Sequence, residues 1–362
     1  MNAPLPLPRD HRARVARVAV ALLVPAALAA ACTSGMKRYK TPDDLRAAGE
    51  YPSYAFDTGT LGVTHYEVRE PTSPPTGTPR TIVLVHGVSG PLNVWDRAVG
   101  PLTDAGFRVL RYDLFGRGLS TRLVDSKYDL AVFRQQIDEL TAHLAPTGSL
   151  DVVGSSYGGV IASDFALRHA ERMRGLVLIG PAGTPINITP LAHIANVPVL
   201  GDLMFLLFGE RAIITQNRKY FVGEEPPPEL WRMFLAQLGV DGTAEAMRST
   251  HDNPTLRDFS AGFAALARTK IPVGLIWGRN DVTFPFANHT LVQNALPAAT
   301  LVPIDAAGHL PQYEKPETTS PALLTLLAAM PAPSVRSPET PTGEAGGDPG
   351  VTSAEPGEPA TP

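Results

Sequence analysis

The sequence predicts an α/β protein: a mostly parallel sheet with helices on both faces, interrupted once by a helical insertion. Three observations carry this. Short apolar runs alternate with longer mixed stretches of helical character, the order expected when each strand is followed by a crossover helix. The runs are continuously apolar instead of alternating, as strands covered on both faces must be. The alternation also stops between residues 180 and 271, a gap too long for a structureless loop in a compact domain and rich in helical segments.

The elements follow in order. Residues 1–31 do not resemble core. Arg9, Arg12, Arg14 and Arg17 precede VAVALLVPAALAAA at 18–31, and a cationic start, a short apolar middle and a small-residue end describe an export signal. The run falls short of the roughly 20 residues a membrane span needs. Residues 32–54 are mostly polar and read as a spacer. VTHYEVRE at 63–70 alternates and leads into the proline-rich PTSPPTGTP, so it is expected as an antiparallel edge strand. TIVLVHG (81–87), FRVLRYDL (107–114), LDVVGSS (150–156), RGLVLIGP (174–181), IPVGLIWGRND (271–281) and ATLVPID (299–305) are the core strands, with helices expected over 132–144 and 160–172. The core thus divides into 55–183 and 269–330 around a helical cap at 184–268, which holds PPELWRMFLAQLG and LRDFSAGFAALART. Residues 331–362, rich in proline, glycine and acid and without aromatics, cannot bury enough apolar surface to order themselves and read as a disordered tail.

Composition narrows the function. With 44% hydrophobic and 18% charged residues, the 362-residue chain can bury a large core. Its net charge of −4, with no basic block in the folded region, gives no case for a nucleic-acid partner. A single cysteine, Cys32, excludes an internal disulfide and any zinc or redox cysteine motif.

The chemistry is carried by VVGSSYGG at 152–159. Ser156 ends a strand and precedes a helix, at the carboxyl edge of the sheet where ligands bind in open α/β folds. Gly154 and Gly158 flank it symmetrically, as a turn tight enough to aim one side chain outward requires. The bland alternative is a glycine-rich turn whose serine merely caps the helix; Ser155 is the rival nucleophile by adjacency. A serine hydroxyl needs a base, and the base needs an orienting carboxylate. Of nine histidines, His309 alone sits in a small-residue loop, DAAGHLPQYEKPE, directly after the last strand. Asp281 ends LIWGRND at the carboxyl edge of the preceding strand; Asp305, four residues before the histidine, is the rival acid.

Together GSSYG, GRND, GHLPQYEKP, LVHGVSG and YDLFGRGLS resemble the α/β-hydrolase superfamily, of the serine esterase and lipase kind, over residues 54–330. The resemblance implies a mostly parallel eight-stranded sheet, an oxyanion hole from the backbone N–H groups of Val88 and Tyr157, and a purely structural turn at 113–120. A serine where dehalogenases and epoxide hydrolases of that superfamily carry aspartate implies acyl transfer, as in esterases, lipases, thioesterases, certain peptidases and carbon–carbon bond hydrolases, with a small-molecule acyl ester the expected partner and no metal or organic cofactor. LAAAC at 28–32 is similar to a bacterial lipobox, with Cys32 as the lipidated residue, and implies an exported protein anchored in the cell-envelope membrane; plain cleavage would leave it secreted or periplasmic. In the cap, Leu203, Phe205, Leu206 and Phe208 are candidates to line an acyl pocket or touch lipid, against the plainer expectation that they pack the cap on the sheet. The alternative from another class is a surface-tethered binding module on a non-catalytic fold of this type.

Overall fold

The computed structural model describes residues 36–73, 78–186 and 200–330, with side chains from 204 onward in the last segment. Eight strands form one sheet in the order β1-β2-β4-β3-β5-β6-β7-β8: β1 Ala55–Thr58, β2 Val63–Arg69, β3 Thr81–Val85, β4 Arg108–Tyr112, β5 Leu150–Ser155, β6 Met173–Ile179, β7 Val273–Gly278 and β8 Thr300–Ile304. All pairings are parallel except β1 with β2 and β2 with β4. The 63–70 stretch is therefore antiparallel as expected but not the edge. The short β1, whose AFDT has too little alternation to be read as a strand, pairs outside it.

The continuous apolar runs are explained by two cores, one on each face. Alternate residues of a strand point to opposite faces, so Val83, Val85, Val152, Leu176, Leu178 and Trp277 enter one core, while Ile82, Leu84, Val153, Val177, Ile179 and Ile276 enter the other. The first core is roofed by α3 (Leu130–Leu144) and α4 (Tyr157–Arg168), the second by α2 (Asp96–Asp104) and α11 (Pro316–Ala329). Each such fully buried Val, Leu or Ile stabilises the fold by about 1.5–3 kcal/mol relative to exposure.

The stretch expected as a spacer is folded from residue 36 onward. Its helix α1, Pro42–Ala47, starts with a capping box between Thr41 and Asp44. Tyr39, Leu45 and Tyr51 are buried in the second core, Tyr39 bridges in strand fashion to Val240, and Tyr51 donates from its hydroxyl to Asp113 Oδ1 at 2.9 Å. Three apolar anchors decide its fate; the polar average hid them. The proposed signal and lipobox with Cys32, and the tail at 331–362, lie outside the described residues.

The insertion is helical, with α5 Leu200–Arg218, α6 Pro228–Leu238, α7 Thr243–His251 and α8 Ser260–Leu266. It is followed by α9 (His289–Ala295), and α10 (Pro311–Glu314) comes after β8. Because the chain runs from β3 outward to β4 and then returns to β5 on the other side, the topological switch lies between the carboxyl ends of β3 and β5, where open sheets form their ligand crevice.

Candidate active site

Ser156 follows β5 at that switch point. Its backbone is at φ 57°, ψ −126°, a left-handed conformation unfavourable for a residue with a Cβ. The strain is held in place by three backbone bonds: Ser156 N–H donates to Ile179 O at 2.9 Å, while Ser156 O accepts from Gly159 N at 2.9 Å and Ala182 N at 3.0 Å. The glycines are required by contact. A Cβ on Gly154 would lie 2.3 Å from Gly158 O, and one on Gly158 would lie 2.2 Å from Val85 O. Ser156 stands at the N-terminus of α4, yet its side chain makes no capping hydrogen bond, so helix capping does not explain the serine. Ser155 is fully buried, its hydroxyl accepting from Gln312 Nε2 at 3.3 Å.

His309 comes off β8 and is held from both sides. Its N–H donates to Tyr220 O at 2.7 Å, and its ring packs against Tyr220 and Phe284, with centroids 4.9 and 5.6 Å away. Nδ1 lies 2.7 Å from Asp281 Oδ2. A carboxylate only accepts, so Nδ1 carries the proton and Nε2 presents its lone pair. Asp281 is itself fixed, its Oδ1 accepting from Thr283 N at 2.8 Å and Phe284 N at 3.0 Å. Asp305 instead forms an exposed ion pair with Arg279 at 2.6 Å. His309 Nε2 is buried and, among the described residues, without a hydrogen-bond partner.

Ser156 and His309 share the wall of one small pocket. The β3 loop (Gly87, Val88, Ser89) forms one side, and the cap closes the other with Tyr220, Phe221, Leu230, Trp231 and Phe234. Of the cap residues expected to line it, those whose side chains are described do not. Leu206 is 80% exposed. Phe205 packs against the core with Arg248 over its ring, Phe208 is half-buried away from the pocket, and the Leu203 side chain lies outside the described residues. Among the described side chains the cap's share of the lining comes from Asn217, from the residues just after α5 and from α6.

One residue that sequence reasoning passed over is His86. Fully buried, it accepts at Nε2 from Leu114 N–H at 2.9 Å, which leaves Nδ1 protonated to donate to Gly87 O at 2.7 Å. In a trans peptide the N–H lies opposite the carbonyl, so this bond sets the direction of Val88 N–H. Burial pushes the His86 pKa down to about 4, partly opposed by Asp113 and the Gly87 carbonyl, with Arg117 lowering it further. His86 is therefore neutral at ordinary pH, as both bonds require. The adjacency of His86 to Gly87 was the available signal. Tyr157 is buried too, its hydroxyl within 2.9 Å of Thr255 Oγ1 and accepting from Asn253 Nδ2 at 2.6 Å. Among the described residues no group of three or more His, Cys, Asp or Glu side chains is arranged to hold a metal.

Known proteins resemble both the chain and its fold. The pimeloyl-[acyl-carrier protein] methyl ester esterase of Nitrosomonas europaea is 31% identical over 255 residues, 67% of this chain and 93% of its own. The 2-hydroxy-6-oxo-6-phenylhexa-2,4-dienoate hydrolase of Comamonas testosteroni is 26% identical over 264 residues, 66% of this chain and 84% of its own. The crystal structure of a bacterial membrane phospholipase A superposes with a TM-score of 0.61 at 21% identity, covering 88% of this chain and 97% of its own, a likeness of fold. The pattern of the Alpha/beta hydrolase family runs through residues 82–322, from β3 into α11, and the chain belongs to that family.

Proposed function

We propose that this hydrolase cleaves carboxylic esters through an acyl-enzyme, with Ser156 as nucleophile, His309 as base and acid, and Asp281 as its orienter. Ser156 Oγ attacks the ester carbonyl carbon while its proton passes to His309 Nε2. The carbonyl oxygen becomes an oxyanion facing the N–H groups of Val88 and Tyr157. Collapse of the tetrahedral intermediate breaks the C–O bond, and the imidazolium returns the proton to the leaving alkoxide. Water, deprotonated by the same nitrogen, then releases the carboxylic acid and restores the serine. Asp281 holds the tautomer.

The observation that carries this reading is the unpartnered Nε2 of His309: buried, with its other nitrogen tied to a fixed carboxylate, in a residue that lines the same pocket as Ser156. A buried polar atom without a partner is costly unless it has work to do. The described lining carries no Lys or Arg to pair with a substrate carboxylate, which favours a neutral ester with an apolar acyl group over an anionic carbon–carbon substrate. A binding module would have no need for the strained serine or the open nitrogen. The test is hydrolysis of p-nitrophenyl esters of graded chain length. Ser156→Ala is expected to abolish turnover while keeping the fold, and full activity in that variant would remove the assignment.

The proposal includes the location: export, lipidation at Cys32 and attachment to an envelope membrane. Mass spectrometry of the mature N-terminus tests it, since an unmodified terminus at another residue would exclude the anchor.

A further inference from the structure

We infer that Gln237, on cap helix α6, is a positioning residue for the oxyanion loop, so that the cap helps to set the oxyanion hole. This rests on the ester-hydrolase reading for its function, though not for its geometry. Three successive carbonyls of the β3 loop are each held by one buried side-chain donor. Gly87 O accepts from His86 Nδ1 at 2.7 Å, Val88 O from Arg117 Nε at 2.7 Å, and Ser89 O from Gln237 Nε2 at 2.8 Å. Holding three consecutive carbonyls fixes three consecutive peptide planes, and hence the direction of every N–H between them. Loss of one donor frees one plane and costs the buried carbonyl its partner.

Two of those three donors lead into the cap. Gln237 is fully buried, and its Oε1 accepts from Gly118 N at 2.8 Å, so one amide ties the loop to the turn at 116–120. Arg117, a fully buried cation on that turn, also donates from Nη2 to Thr250 Oγ1 on α7 at 2.7 Å. The second oxyanion residue is tied the same way: the Tyr157 hydroxyl sits between Asn253 and Thr255, just beyond α7. Both sides of the hole are thus bonded to the 237–255 segment through buried polar contacts. Such contacts are stronger than surface ones because water does not compete for them.

The test uses the full chain with Gln237→Met, which keeps length and apolar bulk but neither donates nor accepts strongly, and Thr250→Val, an isostere that leaves Arg117 without that anchor. On a soluble p-nitrophenyl ester, with sites counted by fluorophosphonate titration, kcat is expected to fall about tenfold or more in the first and about threefold or more in the second, with KM within about twofold of wild type. A packing role alone would lower thermal stability and leave kcat per titrated site unchanged, and that result in either folded variant overturns the inference. Should Gln237→Met fail to fold, Thr250→Val decides. Hydrogen exchange of the peptide spanning 86–91 is read in parallel and is expected to speed up at least about tenfold in the variants. Unchanged exchange overturns the inference without any substrate. A wild-type protein that turns over no ester would therefore sink the ester reading, while the exchange rates would still decide whether Gln237 holds the loop.

Discussion

His86 links the β3 loop to acid stability. In the folded protein its pKa is about 4, against an ordinary 6.5. Between those values the unfolded chain binds a proton that the folded chain refuses, so stability attached to this group is full above pH 6.5 and is lost as pH falls towards 4. The loss amounts to about 2 kcal/mol at pH 5 and about 3 kcal/mol at pH 4. The main cause is burial of the ring, and a second ring proton would also face Leu114 N–H, turning an accepted bond into a clash of two donors. His86→Asn removes the titration while Asn Nδ2 can still donate to Gly87 O. It strands Leu114 N–H, which costs about 1–3 kcal/mol at pH 8. Urea unfolding of both proteins at pH 8, 6.5, 5 and 4 tests this, because titrating groups that do not interact with His86 cancel in the difference; Asp113, which His86 helps to hold low, is the exception. The variant is expected to be the less stable at pH 8 and to draw level with wild type, or pass it, near pH 4. A difference constant within about 0.5 kcal/mol over the whole range would refute the reasoning.

Three further outcomes can be checked. Asp281→Asn should lower kcat by about 10³–10⁴ with the fold intact, whereas Asp305→Asn, which breaks only an exposed ion pair, should stay within about twofold of wild type; the reverse pattern in ester kinetics would reassign the acid. Gly158→Ala pushes a methyl to 2.2 Å from Val85 O and should cost more than about 3 kcal/mol in urea unfolding, so a wild-type midpoint would show that the elbow is looser than described. Trp231→Ala widens the cap side of the pocket, and the ratio of kcat/KM for longer over shorter acyl chains should rise by about tenfold or more; an unchanged ratio would mean that the acyl group lies elsewhere.

The sheet was legible because burial on both faces leaves a mark in one dimension: Val83 and Leu84 are adjacent in sequence and both apolar because each serves a different core. The elbow was legible because its steric demand falls on Gly154 and Gly158, close by in the chain. What escaped were features whose cause lies far away. Tyr39, Leu45 and Tyr51 make a polar stretch fold, but their partners are residues such as Val240 and Asp113. The pocket lining of Trp231 and Phe234 reads in sequence as any amphipathic helix, and the apolar run containing Leu206 reads more like a pocket than they do.

The limit is plainest in the two buried His–Asp pairs. His65 Nδ1 lies 2.7 Å from Asp113 Oδ2, and His309 Nδ1 lies 2.7 Å from Asp281 Oδ2. Both histidines are shielded from solvent, and both carboxylates also accept from backbone N–H groups. By residue type and pair geometry they are equals. The difference is at the other ring nitrogen: His65 Nε2 accepts from Tyr54 N–H at 3.0 Å, which commits its lone pair to holding the chain, while His309 Nε2 accepts from nothing among the described residues. A base must have a lone pair to spend, so the first pair is a staple and the second is available for proton transfer. That distinction rests on a single backbone amide, that of Tyr54, and no spacing of histidine and aspartate along the chain encodes where that amide falls.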